Sequence, residues 1–470
     1  MTYHNFSPLF ALSLLALSMM ANAQSTPVSD PVLFEDKKLQ VKDDLLHEPT
    51  AVATPTLPIP SSDDIEAKIT RALIAKDWVV LADLLDEYQK QSTFDQTLYD
   101  YALGAMYRSQ ARHKDAIELY QRVASDERLI YPAFDLAIML YEDKQYHAAK
   151  RQFYKVYDKM PPQMQAVIVQ YLNAIRQFER VKYRFGLNYE ETDNVNNAAN
   201  AREIEIQGAR FIRDDSSLPQ SAHGVRYDVG ASKDLNITGN HFIVGDVGVD
   251  GVAYWDNPSY DETTLAVRAG YANRNVKRYW QIVPFVEQNW LESDKYSRHQ
   301  GVSASYSTKF LPDLQVSASL SHTQKRYENK QTAMRHDGRI NAAGFTLAKQ
   351  LGERYVAYAG FDVSQDKVLD LAESSERKGV RLGLAYYGES FGARVMTRYT
   401  KRDFLADNFW YDEVRHDREY QVNAAAWYRP FSYKGITPSL NYRYQKIDSN
   451  FDSMYSRSSQ AVFISFEKLF

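Results

Sequence analysis

Residues that could carry out covalent chemistry are few and scattered along this 470-residue chain. It contains no HExxH zinc motif, no GxSxG nucleophile elbow, no P-loop and no calcium loop. Cysteine is absent, which excludes thiolate catalysis and cysteine-based metal sites. Among the ten histidines, His113, His147, His322 and His416 have no partner at the spacing of metal ligands. The sequence therefore predicts no catalytic residue, metal site or cofactor, although a serine and a histidine could still meet inside the fold.

Charged residues that alternate with apolar ones after residue 182 are a first candidate site. Arg381, Arg394, Arg398 and Arg443 each stand between apolar neighbours. In a strand, successive side chains point to opposite faces, so these arginines share the polar face. Two interpretations stay open: ion pairs that rigidify a wall, or a polar surface along which another chain passes.

A second candidate lies in an internal repeat, which predicts that residues 62–180 form a helical solenoid. Six positions recur 33 residues later as similar residues: Leu103, Gly104, Tyr107, Ala116, Tyr120 and Val123 become Leu136, Ala137, Leu140, Ala149, Phe153 and Val156. Small residues at helix crossings and large ones between them are typical of tetratricopeptide repeats.

The concave groove of such a solenoid binds protein surfaces and is lined by the first helix of each repeat. Five residues map there and form the predicted binding groove: Tyr101, Arg108, Tyr131, Phe134 and Tyr141. The competing interpretation is that they are packing residues between the helices. Both interpretations require the helices to be placed first.

From residue 182 to residue 470 the pattern changes to a period of two, with fourteen alternating segments. Each segment with its connection takes about 20 residues, and a membrane strand needs about 9–11 of them. The chain has 34 Tyr and 22 Phe but a mean hydropathy of only −0.50. A barrel with alternate residues facing lipid has this composition, so we predict a 14-stranded antiparallel transmembrane β-barrel.

The connections between these segments alternate in length. Short turns are predicted around Gly239, Pro312, Leu351 and Glu389. Long polar stretches are predicted between them, at 190–225, 290–299, 325–338, 364–378, 400–417 and 446–458. Outer-membrane barrels have short periplasmic turns and long external loops, so the alternation predicts an orientation.

Both termini predict export to that membrane. Residues 1–23 resemble a signal peptide, with an apolar run before Ala21-Asn22-Ala23. Residues 24–61 are rich in proline and are predicted to be a flexible linker. Apolar residues at the C-terminus, including Phe466 and Phe470, resemble the signal that barrel-assembly machinery reads, although Lys468 interrupts it. The net charge of −4 does not suggest a nucleic-acid partner.

The whole arrangement resembles the surface lipoprotein assembly modulators, the Slam family. The resemblance covers residues 62–470 and is best carried by Phe185-Gly186-Leu187-Asn188-Tyr189, which leads into Asp193-Asn194-Val195-Asn196-Asn197. It implies a non-enzymatic outer-membrane translocator with a periplasmic helical domain. Its expected partners are client surface lipoproteins or secreted proteins, the outer-membrane bilayer and the barrel-assembly machinery.

Three other functions remain open from the sequence. Exporters of exopolysaccharide also place tetratricopeptide repeats before a barrel, but usually many more of them. A barrel enzyme acting on lipids would need a serine and a histidine to meet. A plain diffusion porin would not need a groove domain.

Overall fold

The computed structural model describes residues 4–5, 64–311, 313–433 and 436–469. The predicted signal peptide and linker lie outside these ranges, apart from a two-residue strand, β1 (His4–Asn5), and Phe470 also lies outside them. Helices come first along the described chain and a large sheet follows. In the described ranges, no helix is both long and apolar enough to cross a membrane.

The first part consists of helices that pack as antiparallel neighbours. They are α1 (Ile65–Ala75), α2 (Trp78–Tyr88), α3 (Gln96–Ser109), α4 (His113–Val123), α5 (Ile130–Glu142), α6 (Tyr146–Tyr157) and α7 (Pro162–Glu179). The first three begin at aspartates that cap free backbone N–H groups, as Asp64 does by accepting from the N–H of Ala67 at 2.8 Å. Polar caps therefore set where this domain begins.

The predicted tetratricopeptide repeat is confirmed by the pairs α3–α4 and α5–α6. A Cβ atom at Gly104 would lie 2.6 Å from the ring of Tyr120, so only glycine allows α3 and α4 to cross this closely. At the equivalent crossing in the next repeat, Ala137 and Phe153 are fully buried. The small-and-large pattern read from the sequence is therefore a packing pattern.

The second part is a closed barrel of fourteen antiparallel strands, as predicted. The strands are β2 (Lys182–Thr192), β5 (Ala222–Thr238), β6 (His241–Tyr254), β7 (Glu262–Arg274), β8 (Arg278–Leu291), β9 (Asp294–Leu311), β10 (Leu314–Tyr327), β11 (Gly338–Leu351), β12 (Tyr355–Val368), β13 (Ser375–Tyr387), β14 (Phe391–Asp407), β15 (Val414–Tyr428), β16 (Thr437–Ser449) and β17 (Arg457–Leu469). The first and last strands close the cylinder, with Thr192 opposite Ala461 and Arg184 opposite Leu469.

Alternation along each strand separates an apolar exterior from a polar interior. On β13, Leu382 points outward and is 60% exposed, whereas the neighbouring Arg381 points inward and is 2% exposed. Exposed leucine, valine and aromatic side chains cover the outside of the barrel. This is the surface expected of a barrel embedded in lipid.

The two ends of the barrel differ in their connections. We call the end where β2 begins and β5 joins β6 the turn end, and the opposite end the loop end. The loop end carries the small strands β3 (Glu203–Ile206) and β4 (Ala209–Ile212) and the helices α8 (Lys330–His336) and α9 (Asp452–Tyr455). The long stretch predicted at 290–299 is wrong: β8 and β9 extend into it and leave only residues 292–293 between them. The stretches predicted at 364–378 and 400–417 are also too long, because strands leave only residues 369–374 and 408–413 as connections. The polar residues there form strand ends, because ladder hydrogen bonds continue beyond the apolar band.

Candidate functional site

Two of the predicted groove residues connect neighbouring repeats. The hydroxyl of Tyr101 on α3 donates to Asp135 on α5 at 2.9 Å. The Nε of Arg108 donates to Glu142 at 2.9 Å, and a second guanidinium nitrogen completes a bidentate pair. Tyr101 and Arg108 therefore fix the angle between α3 and α5, whatever else they contact.

The other three groove residues have different environments. Phe134 is 6% exposed and packs edge-on against Phe153 in the core, so it contributes to packing. Tyr141 is half-buried against Tyr146 and Tyr171. Tyr131 is the most accessible of the five, at 38% exposed.

Burial and hydrogen bonding shift the pKa values of the acidic groups in this domain in opposite directions. Burial raises the pKa of Asp135, and it raises the pKa of Tyr101 beside it. Burial would also raise the pKa of Glu142, but hydrogen bonds from His113 and Arg108 outweigh it and lower this pKa to about 2. Glu142 is therefore a carboxylate held by two side chains, the Arg108 guanidinium and the His113 ring.

The helical domain is attached to the turn end of the barrel through Asp143, which follows α5 and is 4% exposed. The side-chain amide of Asn240, in the β5–β6 turn, donates to Asp143, and so does the backbone N–H of Val276 in the β7–β8 turn. One turn further, the backbone N–H of His147 donates to Asn236 at 2.8 Å. One carboxylate thus contacts two barrel turns.

An aromatic cluster continues this attachment into the barrel. The ring of Tyr146 on α6 lies 4.4 Å from that of Phe178 on α7, and both pack edge-on against Phe242 on β6. The guanidinium of Arg274 stacks over Phe178 and Phe242. Phe242 and the lumen-side residues Val244, Ala272 and Val283 belong to the same hydrophobic core as the helices. The two domains therefore share one core. The sequence contained no periodic signal for this contact.

Three of the four predicted lumen arginines form ion pairs in the barrel interior. Arg381 lies 2.6 Å from Asp362, and Arg398 lies 3.1 Å from the same carboxylate. Arg443 lies 3.6 Å from Glu190, which also pairs with Arg226. Arg394 points inward nearer the turn end and is exposed. Both interpretations survive, because these pairs rigidify the wall and also give it a polar surface.

A further charged layer lies in the lumen near the loop end. Lys325 is 2% exposed and lies 2.9 Å from Asp366, which is 1% exposed. Arg415 and Asp417, both on β15, form a second buried pair at 2.6 Å. Burying such groups costs desolvation, and close, well-placed partners offset part of that cost.

Above this layer, loop-end segments pack into a small apolar core that we call the cap. It comprises Ile204, Ile206, Phe211, Trp410, Tyr411, Phe451, Met454 and Tyr455. Tyr411 and Phe451 stack with their ring centroids 4.2 Å apart. The guanidinium of Arg415 lies 3.7 Å from the ring centroid of Tyr455, so the cap rests on lumen-facing residues. The cap joins residues from three separate connections, so no local pattern could predict it.

The Asp193–Asn197 segment connects the first strand to the last. Asp193 accepts from the backbone N–H of Gln460 at 2.9 Å, and Asn194 donates to the backbone oxygen of Ser458 at 3.0 Å. Asn196 donates to the backbone oxygen of Leu218 and accepts from the N–H of Gln220. These short polar side chains therefore close the β2–β17 seam at its loop end.

The remaining predicted site residues lie on or beyond the last strand. Phe466 points outward from β17 and is 46% exposed, in register with Leu187. Phe470 lies outside the described residues. Across the described residues, no group of three or more His, Asp or Glu side chains is placed to hold a metal ion.

Comparison with known proteins agrees with this architecture. A family model described as "Surface lipoprotein assembly modifier" matches residues 182–470, and a model for the N-terminal TPR repeats of the same family matches residues 60–153.

Three relatives span most of the chain. The surface lipoprotein assembly modifier of Pasteurella multocida is 28% identical, over 82% of this chain and 79% of the relative. Surface lipoprotein assembly modifier 2 of Neisseria meningitidis is 25% identical, over 85% of both chains. The hemophilin secretion modulator of Acinetobacter baumannii is 24% identical, over 87% and 86%. The family model that matches residues 182–470 covers more than half of the chain, so this protein belongs to the surface lipoprotein assembly modifier family.

Proposed function

We propose that this protein delivers exported client proteins, either surface lipoproteins or secreted haem- and iron-acquisition proteins, across the outer membrane. The observation that carries the proposal is the core shared by the helical domain and the turn end of the barrel, centred on Phe242. A client held by the helices is thereby kept at one mouth of the barrel. The names of the relatives, which include assembly and secretion modulators, support the same function.

The proposal includes an orientation. The turn end and the helical domain lie in the periplasm, and the loop end with its cap lies outside the cell. Support comes from the folded segments at the loop end, since outer-membrane barrels place their long connections outside.

Client recognition is assigned to the concave side of the helical domain. Tyr131 is the best of the five groove residues for direct contact, because it is the most exposed and an aromatic ring contributes strongly to interfaces. Tyr101, Arg108 and Tyr141 set the shape of the groove through contacts between helices. Phe134 supports them from the core.

The barrel provides the route and needs no catalytic step of its own. Its interior offers the polar surface of Asp362 and its arginines, and the cap closes the loop end. Client folding outside the cell supplies a driving force without nucleotide. Phe466 and Phe470 form the terminus that the barrel-assembly machinery reads when the protein itself is inserted.

The test is client display. This protein is co-expressed with the exported protein encoded beside it, in a host that lacks both, and exposure of that protein is measured with external protease and antibody. Deletion of residues 62–180 is expected to abolish exposure. Tyr131→Ala is expected to reduce it, and Tyr154→Ala serves as the matched control, since Tyr154 is 55% exposed on the second helix of the repeat.

Exposure that needs the full chain and depends on Tyr131 but not on Tyr154 supports the proposal. A client that stays hidden in every strain contradicts it, and a change in biofilm polysaccharide upon deletion would indicate glycan export instead. Equal loss of client exposure in both tyrosine variants would mean that the groove does not recognise the client, and only the role of the barrel would stand.

A further inference from the structure

A row of basic residues crosses the outside of the barrel near the loop end. On each of the eight neighbouring strands β9–β16, one outward Lys or Arg lies between the outward apolar residues and the loop end. They are Arg298, Arg326, Arg339, Lys367, Lys378, Lys401, Arg418 and Lys446, and all are exposed. On β14, for example, Val395 and Tyr399 face outward, and Lys401 is the next outward residue. We call this set the basic row.

The strand register places members of the row directly beside each other. Lys378 is opposite Lys401, and Lys401 is opposite Arg418 on the next strand. Arg326 faces Arg298, and Arg339 faces Lys367, in the same way. Like charges at directly opposed positions destabilise a sheet.

Acids compensate for part of this repulsion: Asp448 stands opposite Arg418, and Glu376 and Asp403 are the next outward residues after Lys378 and Lys401. Arg326, Lys401 and Lys446 each have one carboxylate partner at 2.9–3.1 Å. For the other five members, no ion pair or side-chain hydrogen bond is found among residues 64–311, 313–433 and 436–469. These five members therefore leave exposed positive charge that is available to anions from the surroundings.

The row occupies only part of the circumference. On the six remaining strands, β17, β2 and β5–β8, the outward positions in the loop-end half hold no Lys or Arg within the described chain; Glu191 and His223 stand there instead. General attraction to a charged membrane would favour basic residues all around the barrel. The concentration on one side indicates a specific lipid surface.

A groove on the same outer face extends this surface toward the apolar band. It has a volume of about 560 Å³ and lies across β9–β13. Val302, Leu320 and Val363 provide apolar walls, and Lys378 lines the groove at the basic row together with Glu376. Its size is in the range of ligand sites.

We propose that the basic row and the groove bind the phosphorylated glycolipid of the outer leaflet, lipid A. The phosphates contact the basic row, where Arg and Lys supply charge-assisted hydrogen bonds, and an acyl chain occupies the groove. The outer leaflet is the lipid layer at the loop end if the orientation proposed above holds, so this inference rests on that orientation. Bound lipid A would anchor the β9–β16 side in the membrane and leave the β2–β17 seam free of such contacts.

Native mass spectrometry of the purified full-length protein, with defined lipids added in detergent, tests the proposal. The lipids are bisphosphorylated lipid A, monophosphoryl lipid A and phosphatidylglycerol. The variant Lys378→Gln/Lys401→Gln/Arg418→Gln is expected to lose about tenfold or more in affinity for bisphosphorylated lipid A. The control Lys233→Gln/Lys309→Gln/Lys349→Gln removes the same charge in the turn-end half and is expected to bind as the wild type does.

Weaker binding of monophosphoryl lipid A and phosphatidylglycerol by the wild type, with selective loss in the first variant, supports the proposal. Equal affinity for phosphatidylglycerol, equal loss in the control, or no loss at all overturns it. If the triple variant fails the heat-modifiability test of a folded barrel, Arg418→Gln alone is used, with a loss of about threefold expected. Binding in detergent does not depend on orientation, so its failure is separate from a failure of the proposed function.

Discussion

At the residue scale, Glu142 shows how ion pairs determine the shape of the helical groove. It accepts from Arg108 on α3 and contacts His113 on α4 at 2.9 Å, so one side chain on α5 connects three helices. Arg108 and Glu142 are 34 residues apart, and so are Tyr101 and Asp135. The α3–α4 repeat therefore donates to the α5–α6 repeat at two places with the same spacing along the chain.

Arg108→Ala is expected to lower the free energy of unfolding of the helical domain by about 1–2 kcal/mol. The estimate is the cost of removing one partner of a charged hydrogen-bonded pair, reduced because both side chains are one-third exposed. Urea unfolding of the full chain, followed by circular dichroism at the helical minimum, measures it. Arg128→Ala removes an arginine that is 89% exposed and should leave the stability unchanged, because water screens an exposed ion pair.

The same pair predicts a pH dependence. Folding lowers the pKa of Glu142 from its ordinary value of 4.5 to about 2. The contribution of ionised Glu142 to the free energy of unfolding is therefore complete above pH 4.5 and is lost as the pH falls toward 2. The difference in stability between wild type and Arg108→Ala should shrink over that range. A difference independent of pH, or equal effects of Arg108→Ala and Arg128→Ala, would contradict this account of the pair.

At the element scale, the attachment of helices to barrel depends on the rings of Tyr146, Phe178 and Phe242. Phe242 is fully buried, although it belongs to a barrel strand, because α6 and α7 cover it. Together with the hydrogen bonds of Asp143, these rings hold the groove at the turn end.

Phe242→Ala is expected to loosen the helical domain, because removing a buried phenylalanine costs about 3–5 kcal/mol of local packing. The chain has no cysteine, so spin labels can be placed at Ser92→Cys and Ser390→Cys without a background. Their distance distribution, measured by electron double resonance, should be narrow in the wild type and broad in the variant. Phe345→Ala, at a lipid-facing ring that is 49% exposed, should leave it narrow; broadening in both would show a general loss of order.

The cap is the second element-scale feature with a measurable consequence. Phe451 is 5% exposed and stacks on Tyr411, so Phe451→Ala removes the ring contact between two loop-end connections and leaves the hydrogen bond from Asn408 to Tyr455. Conductance of the variant in planar bilayers is expected to rise severalfold over that of the wild type. Phe409→Ala, also at the loop end but 80% exposed, should leave conductance unchanged. An unchanged conductance in Phe451→Ala would mean that the cap does not close the lumen.

The sequence predicted features that repeat along the chain. Alternation located all fourteen strands, and the offset between Gly104 and Ala137 located the helix crossings, because periodic burial leaves a periodic pattern. Contacts between distant segments left no such pattern. Asp143 looks like any polar loop residue, and Phe242 looks like any strand aromatic, until the docking of the two domains makes them neighbours. For the same reason the sequence indicated where Phe134 lies but not that it is buried.

At the scale of the whole molecule, different sectors of the barrel carry different features. Turns around β5–β8 hold the helical domain, β9–β16 carry the basic row, and the β2–β17 seam lies beside the first sector. If lipid A fixes one side of the barrel, movement during client passage is expected on the other side. The client-delivery and lipid A proposals both require that the helical domain faces the periplasm.

Single cysteines test that orientation directly in the cysteine-free chain. Ser259→Cys, between β6 and β7, is exposed at the loop end, and Ser390→Cys, between β13 and β14, is exposed at the turn end. A membrane-impermeant maleimide added to intact cells should label Ser259→Cys and leave Ser390→Cys unlabelled, because the proposed orientation places the turn end in the periplasm. After the outer membrane is permeabilised, both should react, which controls for accessibility. Labelling of Ser390→Cys alone in intact cells would show that the barrel has the opposite orientation. Both the client-delivery and the lipid A proposals would then lose their basis.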